Sequence, residues 1–138
     1  MQRETYQRNI FQRFLGICYT KKPVDEGCWT YKNGKVIVDL SRAPELGRPD
    51  GAVRLEGKGI PDRLLVIYGE DGEYYAFQNR CTHGKRRLDP VPGANNVQCC
   101  SIGKSTFEYD GKVISGSAKK KLTVYSVTVD EGKLVIAL

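Results

Sequence analysis

The chain has 138 residues, 40% of them hydrophobic and 28% charged, which suits one globular domain whose core does not depend on disulfides. The formal net charge is +6, yet the basic residues are mostly scattered among acids, with Lys85-Arg86-Arg87 and Lys119-Lys120-Lys121 as the exceptions. No recognition-helix or RNA-binding pattern accompanies them, so they read as a solvated basic face and nucleic acid is not expected. No run of about 18 apolar residues occurs, which excludes a transmembrane helix. The polar start from Met1 to Thr5 has no apolar stretch of signal-peptide type, so a cytoplasmic protein is expected.

Residues 2–17 read as a short helix, because Tyr6, Ile10 and Phe14 recur one turn apart with Phe11 and Leu15 beside them. A loop with Pro23, Gly27 and Cys28-Trp29 follows. Strand patterns start at Lys35: Val36–Leu40, then, after a Pro- and Gly-containing loop from Ser41 to Asp50, Ala52–Glu56 and Leu64–Tyr68. Gly69-Glu70-Asp71-Gly72 is a turn signal, and Tyr74–Phe77 returns as the hairpin partner. Val97–Cys100, Thr106–Tyr109, Lys112–Ile114, Thr123–Val129 and Lys133–Ala137 complete the set, with Asp110-Gly111 and Asp130-Glu131-Gly132 as turns. Many short strands with regular turns predict an all-β protein. The expected organisation is an N-terminal helix and loop extension over 1–34 and a β domain over 35–138.

Five cysteines and a single histidine carry the chemistry. The odd cysteine count, and the crowding of cysteines near the histidine, suggest metal rather than disulfides. Two loops stand out: 81–90, beginning Cys81-Thr82-His83-Gly84, and 99–107, beginning Cys99-Cys100-Ser101. Each follows a strand. Thiolates and an imidazole on loops held by strands suit iron–sulfur or zinc. Cys18 and Cys28 read as small buried apolar residues, and Trp29 as a core or interface anchor.

The two loops resemble those of Rieske domains, which carry Cys-x-His, a gap of about sixteen residues, and Cys-x-x-His. Sixteen positions, 84 to 99, separate His83 from Cys100. Leu88 sits where the first loop of the family is usually apolar. Ser105 and Phe107 fall where the second has a serine and an aromatic, and so support the site. The segment from Asp110 to Ala118 and the strand from Leu122 to Val129 extend the likeness, which covers roughly 35–138. The chain departs at the second histidine. Counting from Cys100 puts Gly103 there, with Ser101 in place of the usual proline; counting from Cys99 puts Ile102 there. Counting from Cys100 is preferred, because it also places Ser105 and Phe107. With one histidine in the chain, a two-cysteine, two-histidine centre cannot be built from one copy.

The resemblance implies an all-β, Rieske-like fold of small antiparallel sheets with a two-loop cluster-binding subdomain. It implies electron transfer through a [2Fe–2S] cluster, with Cys81, His83, Cys99 and Cys100 as metal ligands. Adjacent strand residues point to opposite faces, so Cys99 joins Cys100 only if the backbone turns there; Cys18 or Cys28 are the other sources of a fourth ligand. Two alternatives stand beside this reading: a Cys3His zinc site, and a cluster-free scaffold acting as an interaction module. No catalytic constellation is present, so a carrier or redox subunit is expected rather than an enzyme. Lys85, Arg86, Arg87 and Lys104 lie in or beside the loops and would dock an acidic redox partner, a reductase or terminal enzyme.

Overall fold

The computed structural model describes residues 18–100 and 103–138. The helix predicted over 2–17 lies outside them. The described residues form eleven strands in two antiparallel sheets, as the all-β reading expects. The larger sheet contains β1 (Trp29–Lys32), β2 (Lys35–Asp39), β3 (Ala52–Leu55), β4 (Leu64–Tyr68), β5 (Tyr74–Gln78), β10 (Val124–Asp130) and β11 (Lys133–Ala137), in the order β1-β2-β11-β10-β5-β4-β3. The smaller contains β6 (Leu88–Val91), β7 (Asn96–Cys99), β8 (Thr106–Glu108) and β9 (Val113–Ser115) in sequential order.

Two strands lie outside the predicted set. β1 begins at Trp29, ahead of the Lys35 start expected from pattern. It forms a hairpin with β2 through Asn33 and Gly34, whose φ values of 52° and 76° are those of the turn that Asn-Gly favours between strands. β6 contains Pro90 and read as loop. It is an edge strand, where the missing N–H breaks no ladder. The expected loop from Ser41 to Asp50 is punctuated by two single 3-10 turns, Leu40–Arg42 and Pro44–Leu46.

The buried residues fall into two clusters, and β4 serves both. Leu64 and Val66 pack with Trp29, Val36, Val38, Leu55, Leu134 and Ile136 on one face. Leu65 and Ile67 pack with Phe77, Leu88, Val97, Phe107 and Leu122 on the other. Successive strand residues point to opposite faces, so a strand covered on both sides reads as the unbroken apolar run Leu64-Leu65-Val66-Ile67. Burying each such side chain is worth about 1.5–3 kcal/mol. Cys81 and Cys99 belong to the second cluster, so the packing that joins the sheets also fixes the base of the two loops. Trp29 is 1% exposed, with Lys58 Nζ 4.4 Å from its ring centroid, and Cys28 lies beside it in the first cluster. Both match the sequence reading. Among the described residues no helix is long and apolar enough to cross a membrane.

Candidate metal centre

The first loop leaves β5 at Asn79, which is fully buried. Its side-chain oxygen accepts the Leu88 N–H at 2.7 Å and its own N–H donates to the Arg63 carbonyl at 2.8 Å, closing the loop base. Within the loop the Cys81 N–H donates to the Arg86 carbonyl (2.7 Å) and the Lys85 N–H to the Cys81 carbonyl (2.9 Å). Thr82 Oγ1 ties the loop to the Lys120 carbonyl at 2.7 Å. The chain therefore wraps tightly around Cys81 and leaves His83, Gly84, Lys85 and Arg86 exposed.

The second loop is anchored in the same manner. The Cys99 N–H donates to the Ser105 carbonyl (2.7 Å), and the Cys100 N–H to the Arg87 carbonyl of the first loop (3.0 Å). Buried Ser105 accepts the Ala118 N–H at its hydroxyl oxygen, 2.9 Å away. Gly116 closes over this point at φ +91°, where a Cβ would stand 2.4 Å from the Ser105 Cα. Only glycine allows that approach.

These anchors bring Cys81 and Cys99 side by side, 1% and 0% exposed. The Cys99 thiol donates to the Cys81 sulfur, and this outweighs burial; the N–H groups of Gly84 and His83 and the Ser105 hydroxyl add to it, bringing the Cys81 thiol down to about 5. A cysteine so placed is a thiolate at neutral pH, the form that binds metal. Cys100 is turned away. Its thiol faces Asp89 Oδ2 at 3.4 Å and contacts Cys18 on the opposite side. The register explains the choice. Leu88 pairs with Cys99, and Val97 with Phe107, so Val97, Cys99 and Phe107 share the core face. Counting from the serine and aromatic had favoured Cys100; the pleat puts Cys99 beside Cys81 instead.

Cys18 also differs from its sequence reading. It is half-buried, not a core residue, and the hydrogen bond from Cys100 brings its thiol down to about 7 against the opposing effect of burial, aided by Arg54 and Arg87. Asp89, unremarked in the sequence, holds this region: buried, it accepts the N–H groups of Tyr19 and Thr20, each at 2.7 Å. Of the expected docking cations, Lys85, Arg86 and Lys104 are exposed. Arg87 is engaged by Glu56 through two bonds of 2.6 and 3.0 Å. Arg63 and Arg80, not foreseen, line a cleft of about 350 Å³ with Lys85 beside the first loop.

Two loops each deliver one buried cysteine to a common point at the end of a four-stranded sheet packed on a larger one, the arrangement of a two-loop β domain with a paired-cysteine site. Residues 38–126 match the Rieske [2Fe-2S] domain family, and the chain belongs to it. The chain is 32% identical over 92 residues, 65% of its length, to the 3-phenylpropionate/cinnamic acid dioxygenase ferredoxin subunit of Photorhabdus laumondii, covering 85% of that protein. It is 25% identical over 107 residues to the cytochrome b6-f complex iron-sulfur subunit of Chlorobaculum tepidum, matching 78% of this chain and spanning 58% of that protein. The solved ferredoxin of Sphingomonas yanoikuyae B1 superposes with a TM-score of 0.57 at 22% identity, covering 66% of this chain and 88% of that one.

The cofactor of this family is a [2Fe–2S] cluster, and the residues fit it unequally. Cys81 and Cys99, with the donors around Cys81, fit the thiolate half. For the imidazole half the chain offers His83, which is exposed, and has no second histidine. Among the described residues no three histidine, cysteine or acidic side chains converge as a metal site.

Proposed function

We infer that the chain is an electron carrier in which Cys81, Cys99 and His83 hold a [2Fe–2S] cluster, the remaining position going to a donor other than histidine. The single observation that supports this best is the pairing of Cys81 and Cys99 inside a cradle of N–H and O–H donors. The cluster, when bound, supplies one-electron chemistry. The chain's own residues do the rest. The N–H groups of His83 and Gly84 and the Ser105 hydroxyl offset the negative charge on Cys81. The buried second cluster of apolar residues shields Cys81 and Cys99 from water. Exposed Lys85, Arg86 and Lys104 present a positive tip to an acidic redox partner, a reductase or a terminal enzyme.

Relatives named as ferredoxin components of dioxygenase systems support a carrier that is not catalytic by itself. A cytoplasmic location belongs to the same reading, since that compartment keeps thiols reduced. Iron and acid-labile sulfide measured on anaerobically purified protein test it: two of each per chain are expected, and Cys81→Ser should lose both. The absence of a second histidine favours one other reading, an interaction module without a cluster. A colourless protein lacking iron and sulfide would establish that reading, and zinc in the same sample would establish a zinc site.

A further inference from the structure

Cys99 and Cys100 are consecutive, and each meets a different thiol. Cys99 faces Cys81; Cys100 faces Cys18, and the two are gathered at one oxygen, Asp89 Oδ2, which lies 3.4 Å from the Cys100 sulfur and accepts the N–H of Tyr19, the residue after Cys18, at 2.7 Å. The second pair lies outside the proposed metal ligands. Cys100 is fully buried and Cys18 half-buried, so Cys18 is the member that solvent reaches. The segment bearing Cys18 is docked at two places: Asp89 accepts the Tyr19 and Thr20 N–H groups at 2.7 Å, and the Lys21 carbonyl accepts the Arg54 N–H at 3.0 Å on the outer edge of β3. The guanidinium groups of Arg54 and Arg87, both bound to Glu56, favour the Cys18 thiolate, against the charge of Asp89. An accessible thiol beside cations, with a buried second thiol in contact, is the arrangement of an attacking and a resolving cysteine.

We propose that Cys18 and Cys100 form a reversible disulfide that fastens the N-terminal segment to the second loop. The oxidant is a low-molecular-weight disulfide such as oxidised glutathione. The Cys18 thiolate attacks one of its sulfurs, forming a mixed disulfide and releasing one glutathione thiolate. The Cys100 thiolate then attacks the Cys18 sulfur and expels the second glutathione. Two protein thiols are oxidised, one disulfide is reduced, and the two protons end on the two glutathione thiols. The bond fixes the backbone at Cys100 and with it the inward orientation of Cys99.

The test treats the purified full chain with oxidised glutathione, blocks free thiols and maps tryptic peptides. A link between the peptides of residues 14–21 and 88–104 is expected, lost on reduction, lost in Cys18→Ser and Cys100→Ser, and kept in Cys99→Ser. A link confined to Cys81 and Cys99, a lasting glutathione adduct on Cys18, no oxidation at all, or loss of the link in Cys99→Ser would each overturn the proposal. Iron content does not enter the readout, so failure of the cluster reading leaves this test standing.

Discussion

Replacing Asp89 by alanine removes the acceptor that holds residues 19 and 20 against the smaller sheet. Two amide N–H groups, each 2.7 Å from a carboxylate oxygen, lose their partner. Thr20 is buried, so its N–H bears the cost of an unmet donor, about 1–3 kcal/mol. Tyr19 is exposed and water replaces most of its bond. Removing a buried charge returns part of its desolvation cost, so the net loss is about 1–2 kcal/mol. For a chain of this size that lowers Tm by about 3–6 °C. The loss is local as well as global. Amide exchange at Tyr19 and Thr20, limited by local opening, should quicken about 5- to 30-fold, at about 1.4 kcal/mol per factor of ten. Asp89→Asn restores at most one of the two bonds and should fall between. Thermal melts and exchange at pH 7 measure both quantities. A change under about 0.5 kcal/mol, with unaltered exchange at these two amides, would refute the role given to Asp89.

Burial pushes the Glu56 carboxyl up, but hydrogen bonds from Arg87 and Arg54 outweigh it and leave it at about 2. Its folded value is below its unfolded one, so its contribution is present above about pH 4.5 and lost as pH falls toward 2. Glu56→Gln should therefore cost about 1–2 kcal/mol at pH 7 after screening by solvent, and nothing near pH 2; an equal cost at both would contradict the pairing. Electron transfer to an acidic partner should slow steeply with ionic strength, because exposed charges such as Lys85, Arg86 and Lys104 are screened within roughly 8 Å at physiological salt; a flat rate would exclude the positive tip as the docking surface. With one imidazole in place of two, voltammetry should give a potential below the roughly −150 to +300 mV of two-histidine centres, toward the about −400 mV of all-cysteine ones, with at most one ligand-linked ionisation. Two ionisations would mean that two histidines ligate, which requires His83 from two copies of the chain.

The strands and the two loops were legible because their signals are local: β4 is an unbroken apolar run, and Cys81-Thr82-His83 and Cys99-Cys100 each follow a strand. The Asn33-Gly34 turn is an equally local signal for the hairpin of β1 and β2. Which of two adjacent cysteines faces the first loop was not local. It depends on the pairing of Leu88 with Cys99 and of Val97 with Phe107, set by strands meeting in space. Counting along the second loop assumed a fixed loop length and favoured Cys100. Nor did the sequence reveal that Asp89 holds residues 19 and 20, nearly seventy positions away, or that Glu56 engages Arg87; side chains so far apart in the chain meet only through the fold.

The comparison of Cys99→Ser with Cys100→Ser addresses the centre most directly. Iron and acid-labile sulfide are counted in both variants and in the unaltered protein, all purified without oxygen. The unaltered protein should hold two irons and two sulfides per chain, red-brown in colour. Cys99→Ser should hold none, since it removes one of the two cysteines that meet, and Cys100→Ser should stay close to the unaltered count because its thiol faces Asp89. A cluster that survives in Cys99→Ser and vanishes in Cys100→Ser would contradict the assignment.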